Sequence, residues 1–416
     1  MLKNTLTAAV VTLFFSFWCV SASGEIVIGH QVDLKGGFAS WGFWIDKAAK
    51  AAVDEINKEG GVNGQKLVYM AEDTESDPKT GVRKFKKLVL EQNSDVVLGS
   101  VHSGVMMATL PVAKELKTPY FPIAMSCEGT GTKSNGYVFR LSTQVCSQVR
   151  ASVPWVLDNV LSEANKPSKW VTIVSDYAWG QSHEEEFTNS VKDFGGEVLT
   201  SLRVPTETID YMPYIRKIPK EADAIYFVFF GQETSRFLTA LNQSGVHKKL
   251  YTVICSLEAI NIDQYKDILE GAYVLEYLPR RLEEFKTAMH EAFRNQLGVN
   301  PEGFSTDDPK IVVAGSHYWA AYEHVQLIAQ AMKDSGYKSK EDRLALIKQL
   351  ENIRRIQESS IFPQGDAVLR MVDHQGFHAH WMSQVFGGKL ISRFKLPLEN
   401  VIYDARSNLT KRIISD

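Results

Sequence analysis

The chain has 416 residues, of which 44% are hydrophobic, so it can bury a large core, and its length favours two domains over one. Its formal net charge of −3 reflects a weakly acidic composition, which argues against a nucleic-acid partner. Beyond the amino end, no stretch approaches the roughly 18 uncharged apolar residues that crossing a bilayer requires.

The amino end has the pattern of an export signal. Lys3 is followed by an apolar stretch, 6–20, which is too short for a membrane span, and then by the small residues 21–24. We therefore expect residues 1–24 to be a signal peptide and the mature protein to be exported. Cleavage removes Lys3 and takes the net charge from −3 to −4. Bulky residues before Cys19 argue against a lipid anchor.

Three cysteines remain in the mature chain: Cys127, Cys146 and Cys255. In an oxidising compartment, one disulfide and one buried thiol is the simplest expectation. Cys127 and Cys146 are the closest pair in sequence, but their spacing alone does not establish a bond. Without a Cys-x-x-Cys unit, the three cysteines are poor evidence for zinc.

The first part of the chain alternates strand and helix. A buried strand at 25–32 is followed by a flexible loop at 33–42, and apolar residues at helical spacing from Ile45 to Ile56 predict a helix. A strand at 66–71 and a helix beginning at Asp77-Pro78 continue the pattern. This alternation predicts a parallel sheet.

Residues 94–126 predict a small anion site. A strand at 95–98 leads through a small polar loop into a helix, whose free N–H groups and dipole favour an anion, and Ser103 adds a hydroxyl. The next apolar run, 120–123, ends near Ser126. In a parallel sheet both serines would lie at one sheet edge, where α/β folds bind ligands. Ordinary turns of an α/β domain are the alternative.

The alternation resumes after residue 145 and suggests a second lobe with a cleft between the two. The predicted strands are 170–175, 197–203, 224–230 and 251–254. The predicted helices are 181–194, 211–218 and 234–244.

Several segments, in this order, resemble one family. They are Leu34 to Gly42, Glu55 to Gly64, Asp73 with Ser76-Asp77-Pro78, Tyr137 to Arg140, Asp176 to Gln181 and Asp373-His374-Gln375. Together they resemble type I periplasmic solute-binding proteins, in the branch of the leucine/isoleucine/valine-binding proteins of ABC transporters. The resemblance runs over nearly the whole mature chain, and its Gly-Gly-Val-Asn-Gly and Asp-Tyr-Ala-Trp-Gly-Gln units are fairly specific.

The resemblance implies an α/β fold of two lobes, each a mainly parallel sheet flanked by helices, joined by three hinge crossovers. Lobe 1 would take residues 25–145 and 276–355, and lobe 2 residues 146–275 and 356–416. Such a protein is a monomeric receptor that closes over a small ligand and docks on a membrane permease, without a cofactor.

The resemblance also implies site residues. The ligand carboxylate would be held at His102-Ser103 and at Ala124 and Ser126, which overlaps the anion site expected from the residues themselves. Aromatic walls would come from Trp41, Trp179 and Phe230. Glu258 would hold a ligand ammonium only if the register slips by a residue or two. His102 and Glu258 could instead be a structural hydrogen-bonding group and a solvated acid.

The sequence departs from the family where tyrosines are usual, at Trp41, Trp179 and Phe230. We therefore expect a ligand with a bulky apolar side chain, either an apolar amino acid or an aromatic or aliphatic acid. An α-amino acid should bind poorly unless a carboxylate pairs with its ammonium.

Other functions are less well supported by the sequence. His374, His378 and His380 lack a neighbouring acidic or cysteine cluster, so we expect no metal site. We find no nucleophile elbow or P-loop and expect a receptor, not an enzyme. An exported hydrolase of small acids or amides and a sensor-coupled receptor without transport remain the alternatives.

Overall fold

A computed structural model describes residues 24–160 and 169–410 of the chain. The predicted signal peptide therefore lies, apart from Gly24, outside the described residues. Within the described ranges, no helix combines the length and apolar character needed to span a bilayer.

Strands and helices alternate over most of the described chain, as predicted. The strands are β1 (Ile26–Val32), β2 (Leu67–Asp73), β3 (Val96–Leu98), β4 (Tyr120–Phe121), β5 (Lys169–Ser175), β6 (Glu197–Val204), β7 (Ala224–Val228), β8 (Tyr251–Ile254), β9 (Tyr273–Glu276), β10 (Arg355–Ile356), β11 (Ala367–Arg370), β12 (Gln375–His378), β13 (His380–Phe386) and β14 (Lys389–Leu396). The α-helices are α1 (Ala39–Lys58), α2 (Pro78–Leu90), α3 (Ser103–Glu115), α4 (Val145–Trp155), α5 (Ala178–Asp193), α6 (Met212–Ile215), α7 (Gly231–Ser244), α8 (Lys266–Leu269), α9 (Ala288–Leu297), α10 (Gly315–Ser335), α11 (Arg343–Leu350) and α12 (Leu398–Val401).

Two large sheets define the two lobes. The first is four-stranded and parallel, in the order β2-β1-β3-β4, and α1 packs against both this layer and α10. The second is seven-stranded, in the order β14-β13-β9-β8-β7-β5-β6. Strands β9, β8, β7, β5 and β6 are parallel, β13 pairs antiparallel with β9, and β14 pairs antiparallel with β13. The predicted fold class, a two-lobed α/β protein with mainly parallel sheets, is confirmed.

The chain passes between the lobes three times: after β4, after β9, and between β12 and β13. At the first passage Arg140 pairs with Gln375 of the third, and its fully buried guanidinium donates to the carbonyls of Ala124 and Ser126 and to the Gln375 side chain. Burial lowers the pKa of Arg140 to about 10. Arg140 thus ties the loop after β4 to the passages between the lobes.

The predicted lobe boundaries stay a prediction. Strands β10 and β11 contribute Ile356, Ala367 and Leu369 to the core cluster that also contains β1 and α1. The three-stranded sheet β10-β11-β12 therefore packs with the first lobe, although residues from 356 onward were expected in the second.

One disulfide joins Cys127 and Cys146, and Cys255 is a buried free thiol. Cys127 follows the loop after β4, and Cys146 lies in the first turn of α4. The bond therefore fastens the first passage between the lobes to the core of the second lobe.

Three of the differences between the predicted and observed bounds of the elements concern the ligand site. Helix α1 begins at Ala39, inside the predicted loop 33–42, and α5 begins at Ala178 instead of residue 181. Strand β7 ends at Val228, two residues before the predicted end. In each case an aromatic residue that was predicted for the ligand site lies at the start of a helix.

Candidate ligand-binding cleft

A pocket with an empty volume of about 460 Å³, including the solvent at its mouth, lies between the lobes. Its walls follow the carboxyl ends of the strands in both sheets, where open α/β sheets bind ligands. The first lobe contributes Phe38, Trp41, Val101, Met125 and His317. The second lobe contributes Tyr177, Trp179, Phe229, Phe230, Ser256, Glu258 and Tyr277.

Four helices, α1, α5, α7 and α10, begin at this pocket. Phe38, Tyr177 and Phe230 are the N-cap residues of α1, α5 and α7, and His317 lies in the first turn of α10. The N-cap of α10 is Ala314, and none of the four N-cap residues makes a side-chain hydrogen bond to its helix. Because a helix N-terminus carries about half a positive charge, the pocket has a field that favours an anion.

The same Trp-Gly pair places an indole at the pocket in each lobe. A Cβ on Gly42 would lie 1.9 Å from the carbonyl oxygen of Asp33, and one on Gly180 would lie 2.0 Å from that of Ser175. Only glycine therefore lets each helix begin directly against the end of its strand. This close approach positions the preceding residue, Trp41 or Trp179, in the pocket wall.

Aromatic rings meet across the cleft. Phe38 of the first lobe stacks on Phe230 of the second, with 4.2 Å between ring centroids. Tyr177 contacts both rings edge-on. Burial raises the pKa of Tyr177 well above its usual value, so its hydroxyl stays protonated and can donate. The walls thus combine apolar surface with a few hydroxyl groups.

Glu258 is held by two residues of the opposite lobe. Its Oε2 accepts from the Trp41 indole nitrogen at 3.0 Å and lies 2.8 Å from His317 Nδ1. The side chains of Glu258 and His317 are 14% and 8% exposed, so the pair is largely shielded from water. Glu258 therefore lines the pocket, but its carboxylate is already engaged, and its role as the partner of a ligand ammonium stays a prediction.

Ser103, Ala124 and Ser126 lie together beside the pocket and are buried. The Ser126 N–H donates to Ser103 Oγ at 3.2 Å, and the Ser126 and Ser182 hydroxyls are 3.0 Å apart. The carbonyls of Ala124 and Ser126 accept from Arg140. The two serines thus meet at one edge and face α5 of the second lobe, and their role in carboxylate binding stays a prediction.

His102 supports the pocket wall from behind. Its Nδ1 accepts from the Val105 N–H at 3.2 Å and caps α3, and its ring packs edge-on against Phe38, 5.0 Å away. Burial lowers the pKa of His102 to about 4, so the ring is neutral. These contacts are those of a structural histidine, whereas its ligand contact stays a prediction.

Asp33 fixes the loop that carries Val101 and His102. The buried carboxylate accepts from Ser100 Oγ at 2.6 Å and from the Val101 N–H at 3.1 Å. Burial raises the pKa of Asp33, and these hydrogen bonds partly offset that effect. The loop after β3 therefore has one defined conformation at the cleft.

Several lining residues were not predicted from the sequence, among them Phe38, Tyr177, Ser256, Tyr277 and His317. Phe38 and Tyr177 lie within the motifs that carried the family resemblance, so their positions before Trp41 and Trp179 could have identified them. Tyr277 follows β9, and its hydroxyl donates to Gln148 at 2.6 Å. No local pattern indicates His317, because α10 reaches the cleft only through its packing on α1.

The three histidines near residue 375 each have protein partners. His374 stacks on Phe139 and lies 3.0 Å from Glu351, His378 contacts the Leu141 carbonyl, and His380 contacts Thr143. In the described ranges, one group of histidine, cysteine or acidic side chains is close enough together to hold a metal ion: Cys127, Cys146 and Glu186. The two cysteine sulfurs of this group are bonded to each other as a disulfide.

Comparisons with known proteins agree with this architecture. A family model described as periplasmic binding protein matches residues 25–389. The chain is 24% identical over 307 residues to a Leu/Ile/Val-binding protein homologue of Brucella abortus, covering 68% of this chain and 74% of the relative.

Solved structures share the fold at low identity. An ABC transporter solute-binding protein of R. palustris with benzoate has a TM-score of 0.75, 18% identity, and coverage of 90% of this chain and 97% of that one. A branched-chain amino acid transporter substrate-binding protein of Streptococcus pneumoniae with isoleucine has a TM-score of 0.71, 19% identity, and coverage of 89% and 100%. From the family match over most of its length, we conclude that the chain belongs to the periplasmic binding protein family.

Proposed function

We propose that this protein is the exported receptor of an ABC importer, which closes over a small carboxylate ligand with an apolar body and delivers it to the permease. The observation that carries the proposal is the convergence of four uncapped helix N-termini on an aromatic pocket between two lobes. An anionic head is favoured by the helix field, and an apolar body by the rings.

The relatives suggest which ligands to test. Benzoate and isoleucine, which the two structural neighbours hold, are both small carboxylates with an apolar body. Hydroxyl donors for a carboxylate are available on Ser256 and Tyr177, which line the pocket. A ligand that contacts both lobes binds the closed form more tightly than the open form and shifts the hinge equilibrium towards closure.

The test is a thermal-shift screen of benzoate, 4-hydroxybenzoate, phenylacetate, 4-methylpentanoate, leucine, isoleucine and phenylalanine. A true ligand at about 100 times its Kd should stabilise the protein by about 2.7 kcal/mol. A receptor returns the ligand unchanged on chromatography after incubation. Absence of stabilisation by every compound, or consumption of a compound, would contradict the proposal.

A further inference from the structure

We propose that His317 makes the cleft select against α-amino acids, so that the ligand is a carboxylic acid without an α-ammonium group. This inference rests on the proposed function and specifies its ligand. It starts from one contact, in which His317 Nδ1 lies 2.8 Å from Glu258 Oε2. Glu258 is the only acidic residue among the described residues that line the pocket.

The carboxylate of Glu258 is engaged by two groups at once. Trp41 Nε1 donates to the same oxygen that His317 contacts. Trp41 and His317 lie in the first turns of α1 and α10 in the first lobe, whereas Glu258 follows β8 in the second. Closing the lobes therefore brings Trp41 and His317 onto the Glu258 carboxylate. A ligand ammonium would have to compete with both of these side chains for that carboxylate.

Among the described residues, the rest of the pocket offers a cation no second carboxylate. The other lining residues are aromatic, apolar or hydroxyl-bearing, and several of them lie at or near the N-termini of four helices. Those N-termini attract anions and repel cations. A buried ammonium without a carboxylate partner is strongly disfavoured. A ligand that has the carboxylate but not the ammonium avoids this cost.

Matched ligand pairs isolate the ammonium group. Leucine and 4-methylpentanoate share one carbon skeleton, as do phenylalanine and 3-phenylpropanoate, and phenylglycine and phenylacetate. The pairs are compared by titration calorimetry with the full mature chain at pH 7. In the best-fitting pair, the amine-free compound should bind with an affinity at least about tenfold higher than that of the amino acid.

Variants test whether His317 causes the preference. His317→Ala should shift the affinity ratio of the pair towards the amino acid by about tenfold or more, because it exposes the Glu258 charge. His317→Gln keeps a hydrogen-bond donor at this position and should give a smaller shift. Glu258→Gln in the His317→Ala background should reverse the shift, since no charge remains to bind the ammonium. If His317→Ala does not fold, Trp41→Phe, which removes the indole donor and keeps an aromatic ring, should shift the ratio in the same direction.

The outcomes separate the two proposals. If none of these six compounds and no other compound of the thermal-shift screen binds, the proposed function fails and the inference fails with it. If they bind but the wild type favours the amino acid or treats both members equally, the proposed function stands and the inference is overturned. An unchanged ratio in the folded His317 variants also overturns it, because a merely structural role would weaken both members alike.

Discussion

Phe38 and Phe230 stack across the cleft with 4.2 Å between their centroids and 16° between their planes. Each is the N-cap residue of a helix, α1 in the first lobe and α7 in the second. Each ring is therefore placed at the cleft by the start of a helix in its own lobe. Because the two rings line the pocket from opposite sides, this stack links lobe closure to the apolar wall that a ligand would contact.

Ligand binding should change tryptophan fluorescence. Trp41 and Trp179 line the pocket, so a ligand alters the surroundings of both indoles. Titration of the wild type with a ligand found in the thermal-shift screen should give a saturable change in intensity or emission maximum. The double variant Trp41→Phe/Trp179→Phe should lose most of this change. A flat wild-type titration with a ligand of proven affinity would count against both residues.

The Ser126 hydroxyl offers a direct test of the predicted carboxylate site. Ser126→Ala removes its hydrogen bond to Ser182 and should lower the free energy of unfolding by about 1 kcal/mol. If Ser126 also binds the ligand carboxylate, Ser126→Ala should weaken ligand binding far more than Ser182→Ala does. Denaturant unfolding and calorimetry measure the two effects. Equal loss of affinity in both variants would assign Ser126 to joining the lobes alone.

Reduction of the disulfide should destabilise the protein. The Cys127–Cys146 bond has a sequence separation of 19, and a loop of that size stabilises a fold by about 3 kcal/mol. Cys127→Ser/Cys146→Ser should therefore unfold at lower denaturant concentration than the wild type. Reductant should lower the stability of the wild type and of Cys255→Ala but not that of the double variant. Equal stability of double variant and wild type would contradict this expectation.

Stability should fall as the solution is acidified below about pH 6.5, the usual pKa of histidine. Burial lowers the pKa to about 3 or 4 for His30, His102, His183, His290, His324, His378 and His380. The folded chain keeps these rings neutral while the unfolded chain takes up protons, so unfolding is favoured as pH falls towards those values. Buried carboxyls with raised pKa act in the opposite direction: Asp33, Glu233, Glu276 and Glu323.

A single histidine provides the control for this pH dependence. His378 contacts the Leu141 carbonyl at 3.2 Å, and glutamine could keep such a bond without titrating. Urea unfolding at several pH values between 6 and 4 should give His378→Gln a slope smaller by about 1.4 kcal/mol per pH unit. The same slope in both proteins would show that His378 is not neutral in the folded state.

The fold followed from the sequence because its signals are local. The apolar face from Ile45 to Ile56 and the Asp77 N-cap specify helices by spacing and chemistry alone, and both appear as predicted. The start of α1 could not be predicted, because the helix extends into a glycine-rich segment only where Gly42 packs against the Asp33 carbonyl. That contact depends on tertiary structure.

Part of the site could also be predicted, because some of its residues carry local signals. Trp41, Trp179, Phe230 and Glu258 come next to recognisable strand ends or motifs, and the structure places all four in one pocket. His317 lies 59 residues from Glu258 in sequence and reaches it only through the packing of α10 on α1. No pattern along the chain encodes such a contact between lobes.

The central claim, that the cleft between the lobes holds the ligand, is tested most directly by calorimetry on the Phe38–Phe230 stack. A ligand from the thermal-shift screen is titrated into the wild type, Phe38→Ala, Phe230→Ala and the exposed control Phe386→Ala, all at one pH. We expect one site per chain, affinity at least about tenfold weaker in the first two variants, and wild-type affinity in the control. Wild-type affinity in both Phe38→Ala and Phe230→Ala would contradict the account.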